Sequence, residues 1–237
     1  MVVAKIYVSP RATPSSTGEA DTRTRLLDAA LDLIWEQSYG SVGVNEICDR
    51  AKVNKGSFYH FFNSKSDLAA AAYERHWLIS VPKFDLVFAA DVSPIARIER
   101  YCEAIYEYQR ERQRRAGKVC GCPFASVGSE QGTQNERLRK TSRDILAVRV
   151  RYLETALRDA AAAGQIPPQD FNAAARSMSA LVSGVLLQAR IENDLAPLRV
   201  LVPGIFNLIV GYAHAPEASA SDAGRRARTS KGNSRCG

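Results

Sequence analysis

Residues 54–62 read Asn-Lys-Gly-Ser-Phe-Tyr-His-Phe-Phe, NKGSFYHFF. A helix-start residue, a lysine and two small residues stand at one end, and four rings and a histidine follow. Asn54 can cap a short helix by accepting from a backbone N–H two or three residues on. Gly56 and Ser57 let the backbone of the first turn approach a partner closely. The spacing predicts a helix over about 55–62, with Phe58, Phe61 and Phe62 as core rings.

Just upstream, a second short helix is predicted from about Val44 to Ala51, with Ile47 and Cys48 facing in. Lys52-Val53-Asn54 links the two as a helix-turn-helix. Two helices this short bury too little to stand alone. The flanking helices must cover them, making a module of about residues 22–66. Upstream, Leu26, Leu27, Ala30, Leu33 and Ile34 share one face of a helix starting near Thr22. It is expected to stop before Tyr39-Gly40, with Gly40 as a left-handed cap. Downstream, Asn63-Ser64 caps a helix from Lys65 to about Ser80, ahead of Pro82.

The N-terminal turn of the second helix in such a motif enters the major groove. Lys55 reaches a phosphate or a guanine edge there, while Gly56 and Ser57 allow close approach. Tyr59 and His60 can hydrogen-bond phosphate oxygens. Lys65, at the next helix start, favours a phosphate. Ser41, Asn45 and the amides near Gly43 can grip the backbone from the other side.

The segment Tyr39–Leu68, YGSVGVNEICDRAKVNKGSFYHFFNSKSDL, resembles the TetR family of bacterial transcriptional regulators. The glycine after the first helix, V-x-E-I, A-x-V-x-K-G-S-F-Y-H-F-F and x-S-K-x-D-L all fit that family's pattern. Two positions differ: Gly43 stands where the family usually has Thr or Ser, and Lys52 where it often has Gly. The resemblance implies an all-α homodimer with an N-terminal DNA-binding domain and a larger C-terminal domain for a small inducer. It further implies a repressor released from a palindromic operator.

The rest of the chain is read as helical, without strand alternation. Ser93-Pro94 starts a helix carrying Ile95, Ile98, Cys102 and Ile105. Residues 116–133 are expected as a loop. A long helix runs from about Asn135 to Ala163 and ends at Gly164. Two apolar helices follow, near 169–192 and 195–213, and are candidates for a four-helix homodimer interface. The expected domains are an arm at 1–21, the DNA-binding domain at 22–68, a ligand-binding and dimerisation domain at 69–215, and a basic tail at 216–237.

With the resemblance assigning a pocket to the second domain, the candidate lining residues are Tyr101, Ile105, Tyr108, Phe124, Tyr152 and Met178. Arg149 and Arg190, on mostly apolar helices, are candidates to hold an anionic ligand, or else are solvated or paired with carboxylates. KVCGCPF at 118–124 places Cys120 and Cys122 around a glycine, with Lys118 placed to help ionise them. That makes them candidates for a thiol or electrophile switch. Packing as small hydrophobes is the plain alternative. A thiol-dependent redox enzyme using the same two cysteines is a remote third reading, since no His or acidic partner stands nearby.

Composition sets wider bounds. The 237 residues are 46% apolar and 24% charged, and carry a net charge of +7. Part of that surplus is in the tail, which holds five basic residues against Glu217 and Asp222. Five cysteines at irregular spacing are no disulfide framework, and three histidines distant from the C-x-C pair suit no zinc site. No cofactor is expected. The absence of a membrane-length apolar run and of a signal-peptide pattern leads to a cytoplasmic expectation.

Overall fold

In a computed structural model of the protein, residues 18–213 are described; the expected arm before residue 18 and the tail after 213, with His214 and Cys236, lie outside them. Among the described residues every element is helical. The order is α1 (Gly18–Glu36), α2 (Val44–Ala51), α3 (Lys55–Phe61), α4 (Lys65–Val87), α5 (Pro94–Ala116), α6 (Pro123–Gln131), α7 (Glu136–Ala162), α8 (Phe171–Glu192), a 3-10 turn (Ala196–Val200) and α9 (Leu201–Ala213).

The N-terminal core gathers the apolar stripe of α1, Ile47 and Cys48 of α2, Phe58 and Phe62, and Leu68 to Tyr73 of α4. Phe58 is fully buried, so truncating it to alanine costs about 3–5 kcal/mol. Phe61, expected inside, is only half-buried, because it is one residue round the helix from the buried face. Val127 of α6 and Leu138 of α7 complete this core from the C-terminal half. The larger core is built from α5, α7, α8 and α9, around Ile98, Leu153, Met178, Val182 and Ile205.

Several boundaries differ from expectation. The first helix begins at Gly18, four residues before Thr22. Gly40 is not left-handed: among the described residues positive φ at glycine belongs to Gly117, Gly121 and Gly164. Instead the Gly40 amide donates to Glu130, and an added Cβ would lie 2.9 Å from that carboxylate. Helix α4 does not stop at Pro82 but runs on to Val87. A mid-helix proline costs about 3 kcal/mol. Packing offsets it, because Trp77 before Pro82 and Phe84 and Phe88 after it join one aromatic cluster with Tyr101 and Tyr152.

The expected loop at 116–133 contains α6. Its cap is Cys122, whose sulfur accepts the Ala125 amide at 3.5 Å, with Pro123 at the first helical position. The final apolar helix opens as a 3-10 turn before α9. No helix among the described residues is long and apolar enough to cross a membrane.

Candidate nucleic-acid interface and interior cavity

Helices α2 and α3 present their outer faces to solvent. Asn54 caps α3 as expected: its Oδ1 accepts the Ser57 amide at 2.7 Å and the Ser57 hydroxyl at 3.1 Å. A Cβ on Gly56 would stand 3.2 Å from that same oxygen, so glycine there leaves the cap undisturbed. Lys55, Gly56, Tyr59 and His60 are exposed and Ser57 is half-buried. Tyr59 rests edge-on against Phe58 at 4.9 Å, with 57% of its surface free. The tip and outer flank of α3 thus carry the small and polar groups together, on a helix anchored by Phe58.

The turn is held from behind. Lys52 adopts φ 56° and ψ 48°, a left-handed conformation that favours glycine. Arg25 of α1 donates to the carbonyls of Ala51 and Lys52 at 3.1 and 3.2 Å. This satisfies acceptors that the end of α2 leaves open. Sequence reasoning missed Arg25, because its partners lie 26 and 27 residues away.

Ser41, Gly43 and Asn45 are exposed around the start of α2. Gly43 caps α2 through its extended backbone alone, and the Ser41 hydroxyl pairs with Ser38 at 2.9 Å. Lys65 has a different place from the one expected. Its ammonium donates to the carbonyls of Tyr39 and Val42 at 2.8 and 2.9 Å and sits over the Tyr39 ring. Partial burial lowers its pKa. The lysine pins the loop between α1 and α2 and is already engaged on three sides.

Behind this module lies an apolar cavity bordered by α4, α5, α6, α7 and α8. About 80 Å³ of it is open to the centre of a water-sized sphere, against the roughly 10–15 Å³ that one water needs. Four expected residues line it: Tyr101, Ile105, Tyr108 and Phe124. Two do not. Met178 is fully buried in the core. Tyr152 borders a neighbouring surface cleft, where its hydroxyl meets Asp85. His76, Trp77, Phe84, Gln109 and Arg149 complete the polar and aromatic wall.

Desolvation, with Arg112, Lys83 and Arg75 nearby, pushes the His76 imidazole down to about 4. Neutral at physiological pH, it sits 3.3 Å from the Tyr108 hydroxyl and packs against the Trp35 ring at 5.6 Å. Burial raises Tyr101 to about 12, so that phenol stays protonated.

The two thiols separate in role. Cys120 is buried, and desolvation raises its pKa despite Arg112 nearby. Lys118, expected to ionise it, is exposed. Cys122 lines the cavity. Arg190 is used structurally, donating to Ser126 Oγ at 2.9 Å and the Gln37 carbonyl at 2.6 Å. Among the described residues no cluster of His, Cys, Asp or Glu is arranged to hold a metal ion.

Cavity and helix-turn-helix module are joined by contacts that the sequence did not reveal. Helix α6 starts on the cavity wall at Cys122 and Phe124. Near its far end Glu130 accepts the amides of Tyr39 and Gly40 at 2.9 and 2.6 Å. The Trp35 indole of α1 donates to the carbonyls of Cys120 and Gly121 at 3.2 and 3.0 Å. Arg112 of α5 bridges to Asp32 and Glu36 of α1 at 2.7 and 3.3 Å.

The chain matches two family models: bacterial regulatory proteins, tetR family, over residues 26–72, and the tetracyclin repressor-like C-terminal domain over residues 94–204. It is 30% identical over 175 residues to the transcriptional regulator AcuR of Cereibacter sphaeroides, covering 73% of this chain and 78% of the relative. To the HTH-type transcriptional repressor NemR of Escherichia coli (strain K12) it is 27% identical over 196 residues, covering 81% and 95%. Among solved structures, a regulatory protein TetR from Rhodobacter sphaeroides superposes with a TM-score of 0.71 at 28% identity, covering 78% of this chain and 97% of that one. The reduced form of E. coli NemR does so with 0.68 at 25%, covering 80% and 97%.

Proposed function

The chain belongs to the TetR family of bacterial regulatory proteins, and from that premise we propose a cytoplasmic homodimeric repressor, released from a palindromic operator when a small molecule fills the cavity. Its relatives are regulators of transcription rather than enzymes. The observation that carries the reading is the exposed tip of α3, where Lys55, Gly56, Ser57, Tyr59 and His60 meet on a helix whose other face is locked into the core.

Two such tips must reach successive major grooves, roughly 34–36 Å apart. Helices α8 and α9 supply a surface for pairing. Leu187 and Ile191 lie one turn apart on α8 and are exposed, Ile191 to 75%, and Val210 of α9 is exposed as well. An apolar surface of this kind favours burial against a second copy.

The signal travels through α6, which touches the cavity with one end and the loop before α2 with the other. An effector that repositions Phe124 moves Glu130, and with it the amides of Tyr39 and Gly40. Reversing a 1:99 balance of states takes about 5.5 kcal/mol of differential binding, so the effector must fit the two states very differently.

A thiol-driven switch is the second reading. Its support is the place of Cys122 in the cavity wall, together with a relative solved in a form described as reduced. Genome-wide mapping of bound DNA, followed by footprinting of the recovered sites, tests the main reading. Protection of two half-sites about one helical turn apart is the expected result; absence of sequence-specific protection refutes it.

A further inference from the structure

The cavity wall holds one permanent positive charge without a negative partner. Arg149 of α7 is 7% exposed and borders the cavity. Its Nε and one Nη donate to the Ser179 hydroxyl at 3.2 and 3.0 Å, to the Ser179 carbonyl at 3.2 Å and to the Ser183 hydroxyl at 2.8 Å. All these acceptors are neutral and come from one turn of α8. The second Nη donates to none of them. The side chains of Tyr101 and Cys122 stand within hydrogen-bonding reach of the guanidinium.

Two other enclosed arginines are treated differently. Arg97 meets Asp159 at 2.5 Å, and Arg112 meets Asp32 and Glu36. Among the described residues no carboxylate lies within ion-pair distance of Arg149. A charge taken out of water without a counter-charge is strongly unfavourable. Arg97 and Arg112 are paired with carboxylates and half-buried Arg190 with neutral acceptors away from the cavity, whereas Arg149 is held by neutral groups and faces the empty space. The two serines fix the planar fork in place, and a guanidinium so held suits a carboxylate.

We infer that the cavity binds a small organic monoacid, whose carboxylate pairs with Arg149 and whose apolar body lies among Phe84, Phe124, Ile145 and Leu186. This rests on the cavity being the effector site, and it names the effector's chemical class. One cation selects one anionic group; the remaining polar wall groups, among them Ser80, Gln109, Tyr108 and the uncharged His76, carry no further positive charge. A neutral amide of the same shape forfeits the ion pair and leaves the guanidinium uncompensated. Inorganic phosphate lacks the apolar body that the rings are shaped to cover.

The test uses the full-length protein in calorimetric titrations. Butanoate, hexanoate, octanoate and benzoate are each compared with the matching primary amide, and inorganic phosphate serves as a further arm. At least one acid should bind at least about tenfold tighter than its amide. Arg149→Gln should erase that preference, and Arg149→Lys should retain part of it. Amides binding as tightly as acids would overturn the inference, as would a preference that survives Arg149→Gln. So would phosphate binding alone, or no acid binding at millimolar concentration. The wild-type comparison decides the question even if Arg149→Gln fails to fold.

Release of operator DNA is read in parallel. Acids that bind through Arg149 without releasing DNA refute the effector reading and leave the site standing. DNA released by a neutral compound, with no acid bound, does the reverse.

Discussion

Glu130 and Gly40 are joined across 90 residues by a 2.6 Å hydrogen bond from the Gly40 amide to the Glu130 carboxylate. The amide of Tyr39 fills the other oxygen. A single carboxylate at the end of α6 therefore holds the loop that leads into the DNA-facing helices.

Removing that grip should loosen both structure and signalling. A hydrogen bond to a charged group contributes about 1.5–3 kcal/mol, and this one is partly exposed. Glu130→Ala should lower stability by about 1–2 kcal/mol in urea unfolding. It should also flatten the dependence of operator affinity on effector, read by fluorescence anisotropy of labelled DNA.

Lys55 is exposed, and Tyr59 does no more than rest its ring edge-on against Phe58, so a loss of binding on replacing either is little masked by a loss of structure. Lys55→Ala or Tyr59→Ala should weaken specific operator binding at least about tenfold, with about 1–3 kcal/mol resting on each good contact. Lys55→Ala should also reduce the salt slope by about one if the ammonium meets a phosphate. Gel-shift titrations over a salt series check both, and unchanged melting temperatures confirm that the fold is intact.

Lys52 holds a left-handed backbone that costs a non-glycine residue about 1–2 kcal/mol. Lys52→Gly removes that cost but adds backbone entropy to the unfolded chain. The net expectation is a gain of up to about 1 kcal/mol in stability, measured by thermal unfolding, with some operator affinity lost along with the charge.

His76 makes the fold sensitive to mild acid. In the unfolded chain its imidazole takes a proton near pH 6.5, but in the folded chain only near 4. Between those values the unfolded state binds more protons, so stability falls as the pH drops through the window. The loss is about 3 kcal/mol at most by pH 4. His76→Gln should flatten the difference between unfolding midpoints at pH 7 and pH 4.5, compared with wild type.

The recognition helix was legible because its information is local. Asn54, Gly56 and Ser57 each act within three residues of themselves, Phe58 is marked as core by its place on the helix, and the structure places cap, glycine and core ring as the spacing predicts. Helix α6 was not, since a thiol is an unusual cap and its serines and glycine give little helical signal. The passage of α4 through Pro82 was hidden for another reason. What holds that helix together is a set of rings on α5 and α7, which no local pattern records.

The cavity divides in the same way. Tyr101, Ile105 and Tyr108 share one face of α5 and line the cavity together, whereas Tyr152, on α7, turns to a surface cleft. Lys65 looked like a phosphate ligand from its position at a helix start. Its actual partners, the carbonyls of Tyr39 and Val42, are over twenty residues back. Glu130, Arg25 and Trp35 gave no sequence signal, because each acts on backbone groups distant along the chain.

The chain has two tryptophans, and both stand beside the same space. Trp77 forms part of its wall, while Trp35 packs on His76 and Tyr108 from behind and reaches into the first helix of the DNA-facing module. The molecule thus contains its own optical gauge. Ultraviolet emission from unlabelled protein samples the cavity and the strut leading out of it at once, so filling of the one and movement of the other can be followed in a single cuvette.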